Sequence, residues 1–226
     1  MTRVAAQHFL IPYFGEHMLS DYQDVASKIK LKGVSEKVDK INWIAYAYRP
    51  LVELSFGYSE NYLWLLYEVE NDFFRARAQA DQEAVWEDSC VEFFVSTGKV
   101  VENEYSSAED IVYRNFEFNA LGTCLSAVGT IGQREFLKPE EMKQILRFPG
   151  LNMEKLPKEG DEFNWKLAVA IPLILLGLQP GSSFKANFYK CGDLTRQPHY
   201  LSLYNIESES PDFHLPQFFG KMELAI

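Results

Sequence analysis

The chain has 226 residues, 47% of them hydrophobic and 24% charged, an ordinary globular composition at a length that a single β-sandwich can fill. Its formal net charge of −10, with no Lys/Arg cluster to offset it, excludes nucleic acid and anionic membrane surfaces as natural partners. Aromatics reach 15%, which suits half-buried strands and leaves rings over for stacking on a ligand.

Met1–Phe14 lacks a basic start, an apolar block and a small-residue cleavage site. A cytoplasmic location is therefore expected, or a periplasmic or secreted one where a leader has been trimmed. Ser20-Asp21 opens a short helix whose Tyr22, Val25 and Ile29 share one face. Asp21 and Asp24 near its start and Lys28–Lys32 near its end suit the helix dipole, and Gly33 ends it. Residues 1–42 are expected to form an N-terminal segment packed on the same domain, with the sandwich over 43–226. Strands are expected at Val52–Tyr58, Tyr62–Glu70, Val91–Val95, Tyr113–Ala120 and Leu121–Thr130. A second helix is expected over Pro139–Phe148, because Pro139 suits a first turn and Met142, Ile145 and Leu146 share a face. Strands follow at Asn164–Ile171, Phe184–Tyr189, His199–Leu203 and Lys221–Ile226. The longest apolar run, Leu167–Leu178, contains Pro172 and is too short to cross a bilayer, so no membrane span is expected. Many strands with few helices imply an all-β antiparallel sandwich or barrel. Cys90, Cys124 and Cys191 are odd in number with no C-x-x-C spacing, which reads as buried thiols rather than disulfides or a zinc site.

Two strands carry residues that packing alone does not require: Glu92 within Val91-Glu92-Phe93-Phe94-Val95, and Glu117 within Asn115-Phe116-Glu117-Phe118-Asn119. An unpaired buried carboxylate is costly, so each either faces solvent or has partners. Trp86 lies in the loop just upstream of Glu92, and Asn187, Tyr189 and Lys190 form another mixed strand. Sugars need this mixture: their C–H faces stack on aromatic rings while carboxylates, amides and cations take the hydroxyls. Glu117, Asn119, Asn187, Tyr189, Lys190 and Arg196 are the further candidates for such a lining. Paired Glu92 and Glu117 would alternatively serve a glycoside hydrolase, which needs two carboxylates about 5–10 Å apart. No G-x-S-x-G nucleophile motif occurs, and Met142 and Met153 show no pairing that would hold haem. His199 and His214 read first as loop hydrogen-bonding residues, with ligand contact the alternative. Pro211-Asp212-Phe213-His214-Leu215-Pro216 reads as a rigid loop with a structural first role and a binding-rim role second.

The string Val85-Trp86-Glu87-Asp88-Ser89-Cys90-Val91-Glu92-Phe93-Phe94 resembles the family 9 carbohydrate-binding modules, and more closely their Bacteroidetes-type relatives in the DOMON-like group. The likeness continues through Asn115–Gly122, Trp165 with Ala170-Ile171-Pro172, Asn187–Asp193 and Pro211–Pro216 with Phe219-Gly220, covering roughly Trp43 to the C-terminus. It implies an immunoglobulin-like sandwich that binds sugar without cutting it, often beside a glycoside hydrolase partner. In sugar-binding members two tryptophans clamp a ring and a Glu takes its hydroxyls; these match Trp86 and Glu92. The family's cation falls near Glu117 and its Gln near Tyr189. The second Trp falls at Leu203, with Tyr204 beside it as the substitute wall. Some members bind calcium; Asp81 and Asp88 are acidic here, but no EF-hand-like spacing supports an ion. A sandwich that has lost sugar binding and serves as an interaction module is the remaining alternative.

Overall fold

The computed structural model describes residues 8–15, 21–98, 107 and 110–226. Met1–Gln7 of the segment weighed for a leader, and Ser20 at the helix start, lie outside them. Among the described residues two sheets pack face to face. In the larger, β1 (Phe9–Ile11), β14 (Gly220–Leu224), β12 (Ser183–Cys191), β6 (Cys90–Ser96), β7 (Tyr113–Asn119), β8 (Cys124–Thr130) and β9 (Gln133–Phe136) lie side by side. Two short strands extend it, β13 (Tyr200–Ser202) on β12 and β3 (Lys40–Ile41) on β13. The smaller sheet runs β10 (Leu146–Pro149), β11 (Glu162–Pro172), β5 (Tyr62–Phe73), β4 (Leu51–Tyr58) and β2 (Val34–Lys37). All these pairs are antiparallel except β1 with β14. The molecule is thus the all-β sandwich that the strand pattern implied, and no described helix is long and apolar enough to cross a membrane.

Period-two alternation builds the core. Val91, Phe93 and Val95 of β6, Phe116 and Phe118 of β7, and Phe184, Ala186 and Phe188 of β12 face the smaller sheet. There they meet Leu54, Phe56, Leu65 and Tyr67, and the Phe188 ring stacks on Phe93 at 5.0 Å and on Phe56 at 5.5 Å. The helix α1 (Tyr22–Lys32) covers the other face of the smaller sheet, burying Val25 and Ile29 against Trp64, Leu66, Ala168 and Ala170. The Asp21 carboxylate caps it by accepting from the Asp24 N–H at 3.0 Å. Gly33 ends it because a Cβ there would lie 2.5 Å from the Ile29 carbonyl and 2.8 Å from that of Phe56.

The second expected helix is much shorter than its periodicity implied. Only α2 (Pro139–Met142) forms; Leu146–Pro149 leaves it as β10, whose Leu146, Arg147 and Phe148 pair with Ala170, Val169 and Ala168. A free edge of β11 offers a full ladder of backbone hydrogen bonds, which outweighs a weak local helix preference. A one-turn helix α3 (Leu173–Leu176) that the sequence pattern had merged into the apolar run follows β11.

The outer face of the larger sheet is also covered. Trp43, Val85, Ile206, Phe213 and Phe219, from the loops after β3, β5 and β13, pack over Phe94, Tyr113, Leu125 and Tyr189. This second apolar layer buries the polar stripe and leaves an opening over it.

Candidate functional site

The opening is a cavity of about 460 Å³, within the range of small-molecule sites. Its floor is the outer face of β6, β7 and β8. Glu92 stands directly opposite Glu117, and Glu117 opposite Leu125, so all three share a face. Trp86 forms part of the wall and is 39% exposed. Its backbone is fixed in a 3-10 turn, Val85–Glu87, whose carbonyls at Trp86 and Glu87 accept from the N–H groups of Asp193 and Leu194, each at 3.1 Å. Next to it the buried Asp88 carboxylate accepts from the N–H groups of Arg77 and Ala78 at 3.0 Å and from the Asn119 amide at 3.1 Å.

Further lining comes from residues that the sequence reading passed over. β8 and β9 form a hairpin with a two-residue loop, Ile131-Gly132, and Gly132, its second central residue, holds a left-handed φ of 76° that favours glycine. The alternation of β9 puts Arg134 and Phe136 on the cavity side, and the Phe136 ring is 61% exposed. The Arg134 guanidinium lies 2.7 Å from Nδ1 of His214 and donates to the Asn115 amide oxygen at 3.4 Å. The Pro211–His214 stretch, given a structural first role and a rim role second, forms another wall of the cavity. It is held by Phe213 stacking on Tyr189 at 4.2 Å and by His214 stacking on Phe94 at 4.8 Å.

Of the residues named from the sequence, Trp86, Glu92, Glu117 and the Pro211–His214 stretch meet at this cavity. The others are committed elsewhere. Asn119 donates to the Ala78 carbonyl and to Asp88 and accepts from the N–H groups of Leu121 and Thr123, which shapes the β7–β8 turn. Asn187 donates to the Tyr204 carbonyl and accepts from the Tyr204 and Phe188 N–H groups. Tyr189 is fully buried beneath Phe213. Lys190 alternates inward, into the core between the sheets, where its ammonium lies 3.1 Å from Asp72 and 2.8 Å from His199 Nε2. Arg196 lies over the Phe73 ring at 5.2 Å. Tyr204 packs over Gly220, where a Cβ would lie 2.0 Å from its ring, and next to Phe9; it does not replace the missing wall. Leu203 is buried in the core. Asp81, weighed for calcium, is paired with Arg147 at 2.6 Å, and Asp88 is held as described.

The electrostatics follow from burial. Glu92 is 3% and Glu117 2% exposed. Burial, followed by the neighbouring Cys191 and Glu117, holds Glu92 well above the usual carboxylate range. Burial pushes Glu117 up to about 7, against the opposing pull of Arg134. One Glu92 oxygen accepts from the Cys191 thiol at 3.0 Å, and one Glu117 oxygen accepts from the Asn115 amide at 3.0 Å. The second Glu117 oxygen, Oε2, is buried with no hydrogen-bond partner. Burial, then Arg134, lowers His214 to about 3, so its ring is neutral. Cys90, Glu92 and Cys191 bring ligand atoms within 4.8 Å of one another, a set that could hold a thiophilic cation. Burial raises both thiols, Cys90 to about 12, which favours the protonated hydrogen-bonding form.

A stability test follows. Glu117 titrates near its ordinary 4.5 when unfolded and near about 7 when folded. The folded state then binds more protons between these values, so this group's contribution is fully present below the unfolded value and is lost as pH rises through about 7. Glu117→Gln is expected to raise the melting temperature relative to the parent by an amount that grows from about pH 5 to about pH 8. Paired thermal melts across that range check this; a difference independent of pH would contradict it.

Comparison with known proteins agrees with this architecture. The model of carbohydrate-binding family 9 matches residues 27–224. A crystal structure from Bacteroides uniformis, provisionally described as a carbohydrate-binding protein, superposes with a TM-score of 0.83 at 29% identity, over 97% of this chain and 100% of that one. A family 9 carbohydrate-binding module from Caldicellulosiruptor kristjanssonii in complex with cellotriose gives a TM-score of 0.59 at 12% identity, over 97% of this chain and 94% of that one. A glucose complex of a family 9 module from the same organism gives 0.57 at 12% identity, over 96% and 95%. No curated protein matches the chain in sequence.

Proposed function

We propose, for a chain that belongs to carbohydrate-binding family 9 and whose function is therefore carbohydrate binding, that the sugar lies in the cavity floored by Glu92 and Glu117. The observation that carries this reading is the set of groups the cavity leaves unsatisfied: two partly exposed aromatic rings, Trp86 and Phe136, and a buried carboxylate oxygen of Glu117 with no partner. A pyranose answers both needs, stacking its C–H face on a ring and donating hydroxyls to carboxylates. Arg134 supplies the cation that the family resemblance put near Glu117, and Phe136 supplies a second aromatic wall in place of Tyr204.

Binding without hydrolysis is the chemistry this geometry favours. A glycosidase sets its acid and its nucleophile or base on either side of the scissile bond. Glu92 and Glu117 are cross-strand partners on one face of one sheet, so both reach a ligand from below. The protein would hold glycan for a separate glycoside hydrolase.

The Caldicellulosiruptor modules hold cellotriose and glucose, which makes these the first ligands to titrate. Calorimetric binding with no release of reducing sugar is expected. Phe136→Ala is expected to weaken binding by about 1–2 kcal/mol, roughly 5–30-fold, for loss of one ring contact. An unchanged affinity would remove Phe136 from the site, and sugar release abolished by Glu92→Gln would favour the hydrolase reading.

A further inference from the structure

The cavity's charge balance goes beyond what a neutral sugar needs. Four carboxylates line it, Glu92, Glu117, Asp193 and Asp212. The one cationic side chain among its described lining residues, Arg134, sits against His214 and Asn115 and offsets Glu117 only in part. Burial and the adjacent guanidinium keep His214 neutral, so it does not offset the acids. Glu92 and Glu117 face each other across a strand pair, an arrangement that is unfavourable when both are charged. Glu117 is 98% buried by its 2% exposure, and its Oε2 has no donor. Buried acceptors in folded proteins almost always have partners, so an orphan that lines an open cavity marks a donor still to arrive.

A hydroxyl satisfies that oxygen but leaves two opposed acids on which burial keeps the protons. An ammonium does more. It carries three donors, its positive charge lets the two carboxyls give up the protons that burial holds on them, and its polarised C–H and N–H groups are attracted to the faces of Trp86 and Phe136. Away from bulk water a cation set between two carboxylates recovers part of its desolvation cost from each of them. We infer that the cavity selects an amino sugar, a carbohydrate bearing a free protonated amine, with the ammonium held between Glu92 and Glu117. This rests on the sugar-binding reading above and narrows its ligand.

The test uses three β-1,4-linked disaccharides that differ only at carbon 2: cellobiose, the glucosamine disaccharide and its N-acetylated form. Each is titrated by calorimetry against the full chain at about pH 6.5, where the amine is protonated. The glucosamine disaccharide is expected to bind about tenfold or more tighter than the other two. Glu117→Gln should bring it down to the level of cellobiose. Cellobiose binding as tightly as the amine overturns the inference and leaves the sugar site intact. A preference that persists in Glu117→Gln also overturns it, since general attraction to an acidic protein would then account for it. Failure of all three ligands to bind overturns the sugar-binding reading itself, and this inference with it.

Discussion

Trp86→Ala is expected to weaken oligosaccharide binding by about 2–3 kcal/mol, roughly 30–150-fold, which takes a modest affinity below detection in a retention assay. The indole is the largest exposed ring on the cavity, and its position is built into the fold rather than left to a mobile loop. The turn that carries it is tied by Asp193, Leu194 and Asp88. Its side chain is 39% exposed, so truncation removes ligand contact without opening the core, and the melting temperature should move little. Affinity gel electrophoresis on soluble glucans, with calorimetry on oligosaccharides, gives the readout. Retention equal to that of the parent would take Trp86 out of the binding site.

Lys190→Met is expected to act in the opposite way, costing about 3–5 kcal/mol of stability. The Lys190 ammonium is fully buried and donates to the Cys191 carbonyl at 2.7 Å while facing Asp72 and His199. Asp72 also accepts from the Trp165 indole N–H at 2.8 Å and from the Phe73 N–H at 2.9 Å, so removing the lysine leaves a buried charge with only neutral partners. Replacing both ends of the pair, with Asp72→Asn and Lys190→Met, should recover part of the loss because no isolated charge then remains. Urea midpoints at constant slope measure this. A lysine that contacted ligand would show the reverse, a stable variant with lost binding.

These two residues show what the sequence could reveal and what it could not. Glu92 and Glu117 were legible because alternation put carboxylates on one face of two aromatic strands, and the fold does set them opposite each other. What alternation cannot tell is whether that face meets solvent, and here a second apolar layer covers it. The same ambiguity misplaced Lys190. Its neighbours Tyr189 and Cys191 do face the outer layer, but Lys190 itself falls on the inward phase of β12 with Phe188. Asn119 and Asn187 were read as ligand amides; both instead satisfy backbone groups at turns, a role that depends on tertiary partners such as Ala78 and Tyr204. Arg134 and Phe136 left a signal, a glycine-containing two-residue turn followed by alternating residues, yet β9 is only four residues long and gave too short a pattern to single out. The expected wall at Tyr204 rested on proximity in sequence to Leu203. The ring packs over Gly220 instead, where no side chain competes for the space.

A structure of the chain crystallised with an oligosaccharide at saturating concentration tests the central claim most directly. The sugar ring is expected to lie in the cavity against Trp86 and Phe136, with polar groups on Glu92 and on Oε2 of Glu117. A ligand bound elsewhere on the sandwich, with this cavity unoccupied under the same saturating conditions, would contradict it.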